Sequence, residues 1–401
     1  MNFNTKAELF NYISSLNIKP DYILERNDLS TINSYESEDY VAFEAATNSE
    51  STLCRCCGSI TSNIKDKRIT YPIIGTINDK PVLLKLHKKI YHCYECNTNT
   101  SEKIKGIERY AHKANEFIKM LLKSINDNTY SAVARRYKIS CTNVILHFDK
   151  YRHNMPAIDV SKVENIGIDE VRFIPSVGNY QCVIYDHDKG NIIDILENRY
   201  LLTVTERLYQ FNNLKSITQD FWDTYRRAAQ KSCNNINIIA DKFHLARFVT
   251  WAFNRTRVRI QKETNLKLGK KWKLQTKSRK NLSKLSKRKL DMILSQNEEL
   301  NKAYQAKEFF FSILKSRNSE EYLMRIDEWI TFIKRHQLDK FYPIMITLKN
   351  WNKEIINMFD SKLSNGAIER ANRTIKQAKN NAYGFKNLSR ATDLIKMRIV
   401  A

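Results

Sequence analysis

Around residue 240 the apolar period of this chain changes. Ile236, Ile238, Ile239 and Ala240 form a short β-branched run that predicts a buried strand. From Phe243 onward, Leu245, Phe248, Val249, Ala252 and Phe253 recur at helical spacing. Asp241 falls at the junction, where a core strand ends and a helix begins; it is either an ordinary helix cap or a ligand-binding acid beyond a strand end. Upstream, Val163–Phe173 reads as a strand containing Asp169, followed by strands at Tyr180–Tyr185 and Ile192–Leu196 across an Asp186–Gly190 turn. Thr203–Ser232 reads as a long helical region with a break near Lys215–Thr218. Nearer the N-terminus, Lys6–Leu16 fits a short amphipathic helix and Tyr40–Ala46 a strand, and Ile69–Ile74 and Val82–Tyr91 fit two strands joined at Asn78-Asp79.

Helical spacing dominates two further regions. His112–Ile125 carries Ala114, Phe117, Ile118, Leu121, Leu122 and Ile125 on one face. Thr129 caps a second helix holding Val133, Ala134 and Tyr137, and a third runs from about Thr142 to Tyr151 after a break at Lys138-Ile139-Ser140. Two short helices around a tight turn, behind a supporting helix, form a helix-turn-helix pattern. Farther on, Glu298–Lys315, Ser319–His336 and Lys340–Phe359 read as helices of an α-helical insertion. The last pattern starts at Ser364 or Asn365, either of which can cap a helix running to about Ala382 that Gly384 ends. Ile368, Ala371, Ile375, Ala378 and Ala382 make its apolar stripe; Asn365, Glu369, Asn372, Lys376 and Lys379 make a polar stripe beside it.

Charge narrows the partner. Lys and Arg number 67 against 43 Asp and Glu in 401 residues, a net charge of +24, which points to a polyanion. No apolar run reaches membrane-spanning length and no signal-peptide pattern opens the chain, so the polyanion is read as nucleic acid in the cytoplasm, at the nucleoid, rather than a membrane. Residues 255–290 hold 15 Lys and Arg against one acid, Glu263. A solvated helix face normally mixes signs, so phosphate contact is the better reading, with Lys270, Lys271 and Lys273 among its candidates. On the helix-turn-helix pattern, Arg135, Arg136 and Lys138 supply charge, and Thr142, Asn143 and His147 have the reach for base edges. Asn372, Lys376 and Lys379 are candidates for phosphate contact on the last helix.

Eight cysteines include two Cys-x-x-Cys pairs, Cys54/Cys57 and Cys93/Cys96. Brought together by a hairpin, they make the four thiolates of a closed structural Zn²⁺ site, whose role is folding and DNA docking rather than catalysis. Cys56 could replace Cys57 as a ligand.

Three acids remain in comparable settings: Asp169 on a strand, Asp241 at a strand end, and Glu369 on a capped helix after an insertion. Three strands, a helix and a strand with a terminal acid is the order of a ribonuclease H-like core, with Asp169 on the first strand and Asp241 after the fourth. Two Mg²⁺ (or Mn²⁺) ions held by such acids can activate a hydroxyl and stabilise a leaving oxygen in phosphodiester cleavage. Asp169 would bridge both ions, Asp241 would hold one and Glu369 the other. The fold class is thus multidomain α+β: a region of unclear role at 1–50, a four-cysteine zinc ribbon at 51–105, a helix-turn-helix at 106–155, a ribonuclease H-like α/β catalytic core at 160–250, a basic α-helical insertion at 251–360 and the core's last helix at 361–401.

With these residues in view, the chain resembles the DDE transposases of bacterial insertion sequences, of the ISL-three type. The resemblance is carried by Ile166-Gly167-Ile168-Asp169-Glu170, Tyr180 through Asp186, Ala240-Asp241-Lys242-Phe243-His244, and Ser364 through Glu369 with Lys376 and Tyr383-Gly384-Phe385. The cysteine pairs and the helix-turn-helix follow the same order. The resemblance implies Asp169, Asp241 and Glu369 as metal ligands. It further implies cleavage and strand transfer of double-stranded DNA at terminal inverted repeats, by a protein that acts as a homo-oligomer, a dimer on DNA. The competing reading is a non-catalytic DNA-binding regulator built from the finger and the helix-turn-helix.

Overall fold

The computed structural model of this chain describes residues 29–77, 80–233, 235–264, 274, 277–382 and 384–400. The expected helix at Lys6–Leu16 and turn at Asn78-Asp79 lie outside them. The chain separates into two compact units, Met1–Pro156 and Ala157–Ala401.

In the first unit a six-stranded sheet is organised on one long strand. Its strands are β1 (Leu29–Glu36), β2 (Val41–Thr47), β5 (Ile64–Thr70), β6 (Ile73–Ile77), β7 (Lys80–Cys93) and β8 (Thr98–Ser101); β3 (Thr52–Leu53) and β4 (Ile60–Thr61) form a separate ribbon. β7 runs parallel to β2 and antiparallel to β5, β6 and β8. It alternates as a half-buried strand must: Val82, Leu84 and Leu86 are fully buried, with Lys85 and His87 between and beyond them less so. β1 and β2 belong to the same sheet, so the described part of the segment left open at 1–50 is folded into the first unit. Three helices complete the unit: α1 (Asn115–Asp127), α2 (Tyr130–Arg136) and α3 (Cys141–His153). Thr129 caps α2 and Ser140 caps α3, each through its hydroxyl.

The second unit holds a five-stranded mixed sheet of β9 (Asn165–Val171), β10 (Gln181–Asp186), β11 (Asn191–Leu196), β12 (Ser216–Gln219) and β13 (Asn237–Ala240), in the order β11-β10-β9-β12-β13. The first three are antiparallel neighbours, and β12 lies parallel to both β9 and β13. One expectation is corrected here. Thr203–Ser232 is not one broken helix but α4 (Leu201–Leu208), the strand β12 and α5 (Asp223–Ser232). The strand at Asn237–Ala240 is therefore the fifth in the sheet, not the fourth.

α4 and α5 cover one face of the sheet, where Ile166, Ile168, Ile217 and Ile238 meet Val204, Leu208, Tyr225 and Ala228. From residue 242 the chain runs through α6 (Lys242–Glu263), α7 (Lys284–Leu294), α8 (Glu298–Ile313), α9 (Ser319–Arg335), α10 (Tyr342–Asn350) and α11 (Asn352–Asp360). These pack around a core that includes Phe253, Phe310, Trp329 and Phe341 and reaches β13 at Ile239 and Ala240. The expected last insertion helix, Lys340–Phe359, is two helices meeting at Trp351. α12 (Gly366–Asn381) and α13 (Leu388–Val400) then cover the opposite face of the sheet, with Ile368, Ala371, Ile375 and Ala378 against Val171, Val183 and Ile195. No described helix is long and apolar enough to cross a membrane.

Candidate active site and metal centres

Strand alternation aims the first acid. On β9, Ile166 and Ile168 enter the core under α4 and α5, so Gly167, Asp169 and Val171 face α12. Two parallel strands then end at one level, each in an acid. Ile217, Thr218 and Gln219 of β12 pair with Ile238, Ile239 and Ala240 of β13, and Asp220 and Asp241 follow. The Asp241 amide donates to the Gln219 carbonyl at 2.9 Å, which carries the pairing to the strand ends.

Asp220 lies at the centre of the resulting cluster. Carboxylate oxygens of Asp169, Glu170 and Asp220 come within 4.8 Å of one another, and so do ligand atoms of Asp220, Asp241 and His244. Asp220 belongs to both groups; among the described residues Asp169 and Asp241 share none. His244 bridges the two strand-end acids, with Nε2 2.9 Å from Asp220 Oδ2 and Nδ1 2.5 Å from Asp241 Oδ2. Burial disfavours a charged imidazole, yet the hydrogen bonds to Asp220 and Asp241 outweigh it and raise its pKa to about 9. Asp241 is doubly engaged, because its Oδ1 also accepts from the Phe243 amide at 3.1 Å and caps α6. The helix-cap reading of Asp241 is thus realised, and it coexists with membership of the acid cluster.

One helix clamps the cluster from the other side. Asn372 of α12 donates Nδ2 to Asp169 Oδ2 at 2.7 Å, and Asn365 at its start donates Nδ2 to Asp220 Oδ1 at 3.2 Å. Both asparagines are buried, 4 % and 2 % exposed. Glu369 stands between them on the same face of the helix, half-buried, and lies in neither of the two close groups of acids. So the polar stripe of α12 points inward in its first half: Asn372, expected at phosphates, holds an acid. In the second half Lys379 donates to the Arg172 carbonyl at 3.0 Å and Lys376 is exposed.

Acids outnumber cations in the cluster, where Arg199 pairs with Glu170 Oε1 at 3.1 Å and His244 lies between Asp220 and Asp241. Burial, and then the charge of Asp220, pushes the Asp169 carboxyl up to about 7, and the same causes raise Glu170. Glu170 Oε2, Asn365 Oδ1 and Asn372 Oδ1 are buried with no hydrogen-bond partner. Orphaned acceptors beside crowded carboxylates fit a bound divalent cation, which takes oxygen ligands and stabilises their ionised form.

The four paired cysteines also converge. Sγ of Cys54 is 3.4 Å from that of Cys96, and Sγ of Cys57 is 3.6 Å from that of Cys93. All four lie within 4.8 Å of one another, near the separation of about 3.8 Å that tetrahedral thiolates on a metal require. Gly58, at φ +79°, turns the chain so that its amide and that of Cys54 close the knuckle on Cys54 and Ser59 carbonyls. The Thr98 hydroxyl, with the backbone amides of Cys57 and Cys56, draws the Cys54 thiol down to about 5. Cys56 is exposed and outside the group.

Residues 166–392, more than half of the chain, match the family model described as Transposase, for DDE transposases of the ISL3 type. The chain belongs to this transposase family. No curated protein matches it. The matched span runs from β9 into α13, and so holds both strand-end acids, the helical insertion and Glu369.

In the first unit of this transposase, Arg135, Arg136 and Thr142 are exposed. Lys138 sits in the turn between α2 and α3 at φ +50°, 3.5 Å from Asp39. Asn143 is held between Ser140 Oγ at 2.9 Å and Lys113 Nζ at 3.3 Å. His147 is half-buried, and burial, then Lys113 and Lys150, lowers its pKa. Lys270, Lys271 and Lys273 lie outside the described residues.

Sequence reasoning passed over Asp220 because its strand is only four residues long and sits inside a helical window. A signal was present: Ile217-Thr218-Gln219-Asp220-Phe221 repeats the run-then-acid pattern of Ile238-Ile239-Ala240-Asp241.

Proposed function

We propose that this transposase binds double-stranded DNA at the ends of its element and carries out metal-dependent cleavage and strand transfer, with Asp169, Asp220 and Glu369 as the metal-binding carboxylates. The strand order, antiparallel for the first three strands and parallel for the last two, supports reading the second unit as a ribonuclease H-like core interrupted by an α-helical insertion. The observation that carries the assignment is the double clamp of α12. The helix that bears Glu369 is tied through Asn372 to Asp169 and through Asn365 to Asp220, which supports reading Glu369, itself outside both close acid groups, as the third carboxylate.

Mg²⁺ or Mn²⁺ held there would supply Lewis acidity and a hydroxyl of lowered pKa for attack on phosphorus. The chain's own residues fix the geometry. Asp169 is oriented by Asn372, and Asp220 by Asn365 and His244. Asp241, expected from the sequence as a metal ligand, is proposed instead as a positioning acid: it holds His244 charged, and His244 holds Asp220. Such outer partners typically change metal affinity or activity by about 10–100-fold when removed. In the first unit, Cys54, Cys57, Cys93 and Cys96 are proposed to hold a structural Zn²⁺, with α2 and α3 meeting DNA, and the protein is proposed to act as a dimer.

End cleavage in Mg²⁺ tests the assignment. Asp169→Asn and Asp220→Asn are expected to abolish it, whereas Asp241→Asn is expected to retain activity reduced about 10–100-fold. Parental cleavage by Asp220→Asn would remove that residue from the ligand set and return Asp241 to it.

A further inference from the structure

His244, Arg247, Trp251, Arg255, Val258 and Lys262 follow one another along α6 at offsets of three and four. They therefore form a single stripe, about 27 Å long at 1.5 Å per residue, that starts at the acid cluster. Its middle lines a groove of about 650 Å³ with Asn254, Arg259 and Lys340, and a second cavity of about 230 Å³ shares Trp251, Arg255 and Lys340 with it. Trp251 is 47 % exposed, unusual for the largest apolar side chain, and it is not loose. The Arg247 guanidinium stacks over its ring at 4.9 Å, and Phe248 packs both on Trp251 at 6.0 Å and on Phe221 at 5.5 Å, next to Asp220. The nearby acids are spent: Glu263 and Glu299 pair with Arg259, and Asp339 pairs with Lys340 at 2.7 Å. Among the described residues Arg255 and Lys262 have no carboxylate partner, and Arg247 Nε is buried without a hydrogen bond.

We propose that this face of α6 is a track for unpaired DNA, with a base stacked on Trp251 and the flanking phosphates on Arg255 and Lys262. Within a duplex each base has both faces covered by its neighbours, so a duplex offers the indole only edges and backbone. An unpaired nucleotide offers a free π-face to the ring and a phosphate to the cations beside it, the combination that single-strand grooves use. Continuity with the acid cluster gives the track a purpose, which rests on the function proposed above: it would hold a strand freed next to the scissile phosphate.

The test uses the full chain in Ca²⁺, so that binding is read without cleavage and the outcome does not depend on the assignment of the metal ligands. Binding of oligo-dT of about 12 nucleotides is compared with binding of a duplex of equal length. Trp251→Ala is expected to weaken oligo-dT binding about tenfold or more while moving duplex binding less than about twofold, and Trp251→Phe to restore most of it. The base analogue 2-aminopurine in the strand should be quenched by the parent and not by Trp251→Ala. Arg255→Glu, at an exposed position, supplies a second variant should Trp251→Ala melt early; it should weaken oligo-dT binding with a shallower salt dependence. Equal losses on both DNAs, no loss on either, or failure of the parent to bind oligo-dT would each overturn the track, even if the ends are still cleaved. Failure of Asp220→Asn to block cleavage would overturn the ligand assignment and leave the track standing.

Discussion

Asn372 shows what a single side chain decides here. A buried amide is costly unless bonded, and this one places its donor on Asp169 while its oxygen stays unpaired. Asn365 makes the same exchange: at the N-cap of α12 its Nδ2 is on Asp220, while its Oδ1 makes no cap bond and stays unpaired. Replacing Asn372 by Leu keeps the volume and the helix while freeing Asp169. End cleavage by Asn372→Leu is expected to fall about 10–100-fold, with the Mg²⁺ dependence displaced to higher concentration. A Mg²⁺ titration of cleavage rates checks this. An unchanged midpoint would make the clamp a matter of folding rather than of metal binding. The sequence announced the stripe but not its direction, since a polar helix face reads the same whether it meets water or a ring of acids.

At the scale of elements, the sheet depends on close approach between β9 and β12. Gly167 pairs with Thr218, and a Cβ on Gly167 would lie 3.0 Å from His187 Nε2 and 3.1 Å from Thr218 Oγ1, two atoms hydrogen-bonded to each other at 2.8 Å. Gly167→Ala must push that pair apart in a packed interior, and is expected to destabilise the second unit by about 1–3 kcal/mol. Denaturant unfolding would show it, and a cost near zero would mean that His187 moves aside freely. This glycine was visible in Ile166-Gly167-Ile168-Asp169, but its reason lay on β12, the strand that periodicity missed. Elements of six or more residues were legible where their apolar period ran uninterrupted: β9 to β11, the helices at 298–335, the three helices at 115–153 and α12 all lie where their apolar spacing placed them. β12 offers only four residues inside a window that reads as helix, and its identity comes from the two neighbours that hydrogen-bond to it.

For the molecule as a whole, the division into two units separates the two metal sites proposed above. The acid cluster is built on strands and a helix that have their own cores, so its fold does not need a cation; only its charge does. The cysteine group is different. Cys54 and Cys57 sit on the short ribbon's loop, Cys93 ends β7 and Cys96 follows it; polar contacts such as Arg55 N to Thr100 Oγ1 and Thr61 Oγ1 to the His92 carbonyl join them, while the sheet's apolar core at Phe43, Val82, Leu84 and Leu86 lies elsewhere. Bringing four thiolates this close without a cation would be repulsive, so on the zinc site proposed above metal binding and closure of the finger are one event. The purified protein is expected to carry about one Zn²⁺ per chain. A chelator strong enough to remove it should abolish end-specific duplex binding and lower the melting of the first unit, while unfolding of the second unit is unmoved. The pair of variants Cys56→Ser and Cys57→Ser settles the choice that spacing alone left open. Cys57 lies in the four-thiol group and Cys56 is exposed outside it, so Cys56→Ser should retain the zinc and Cys57→Ser should lose it. Measuring zinc release on thiol modification in each variant reads the outcome directly, and full retention by Cys57→Ser would show that the knuckle closes on the other cysteine.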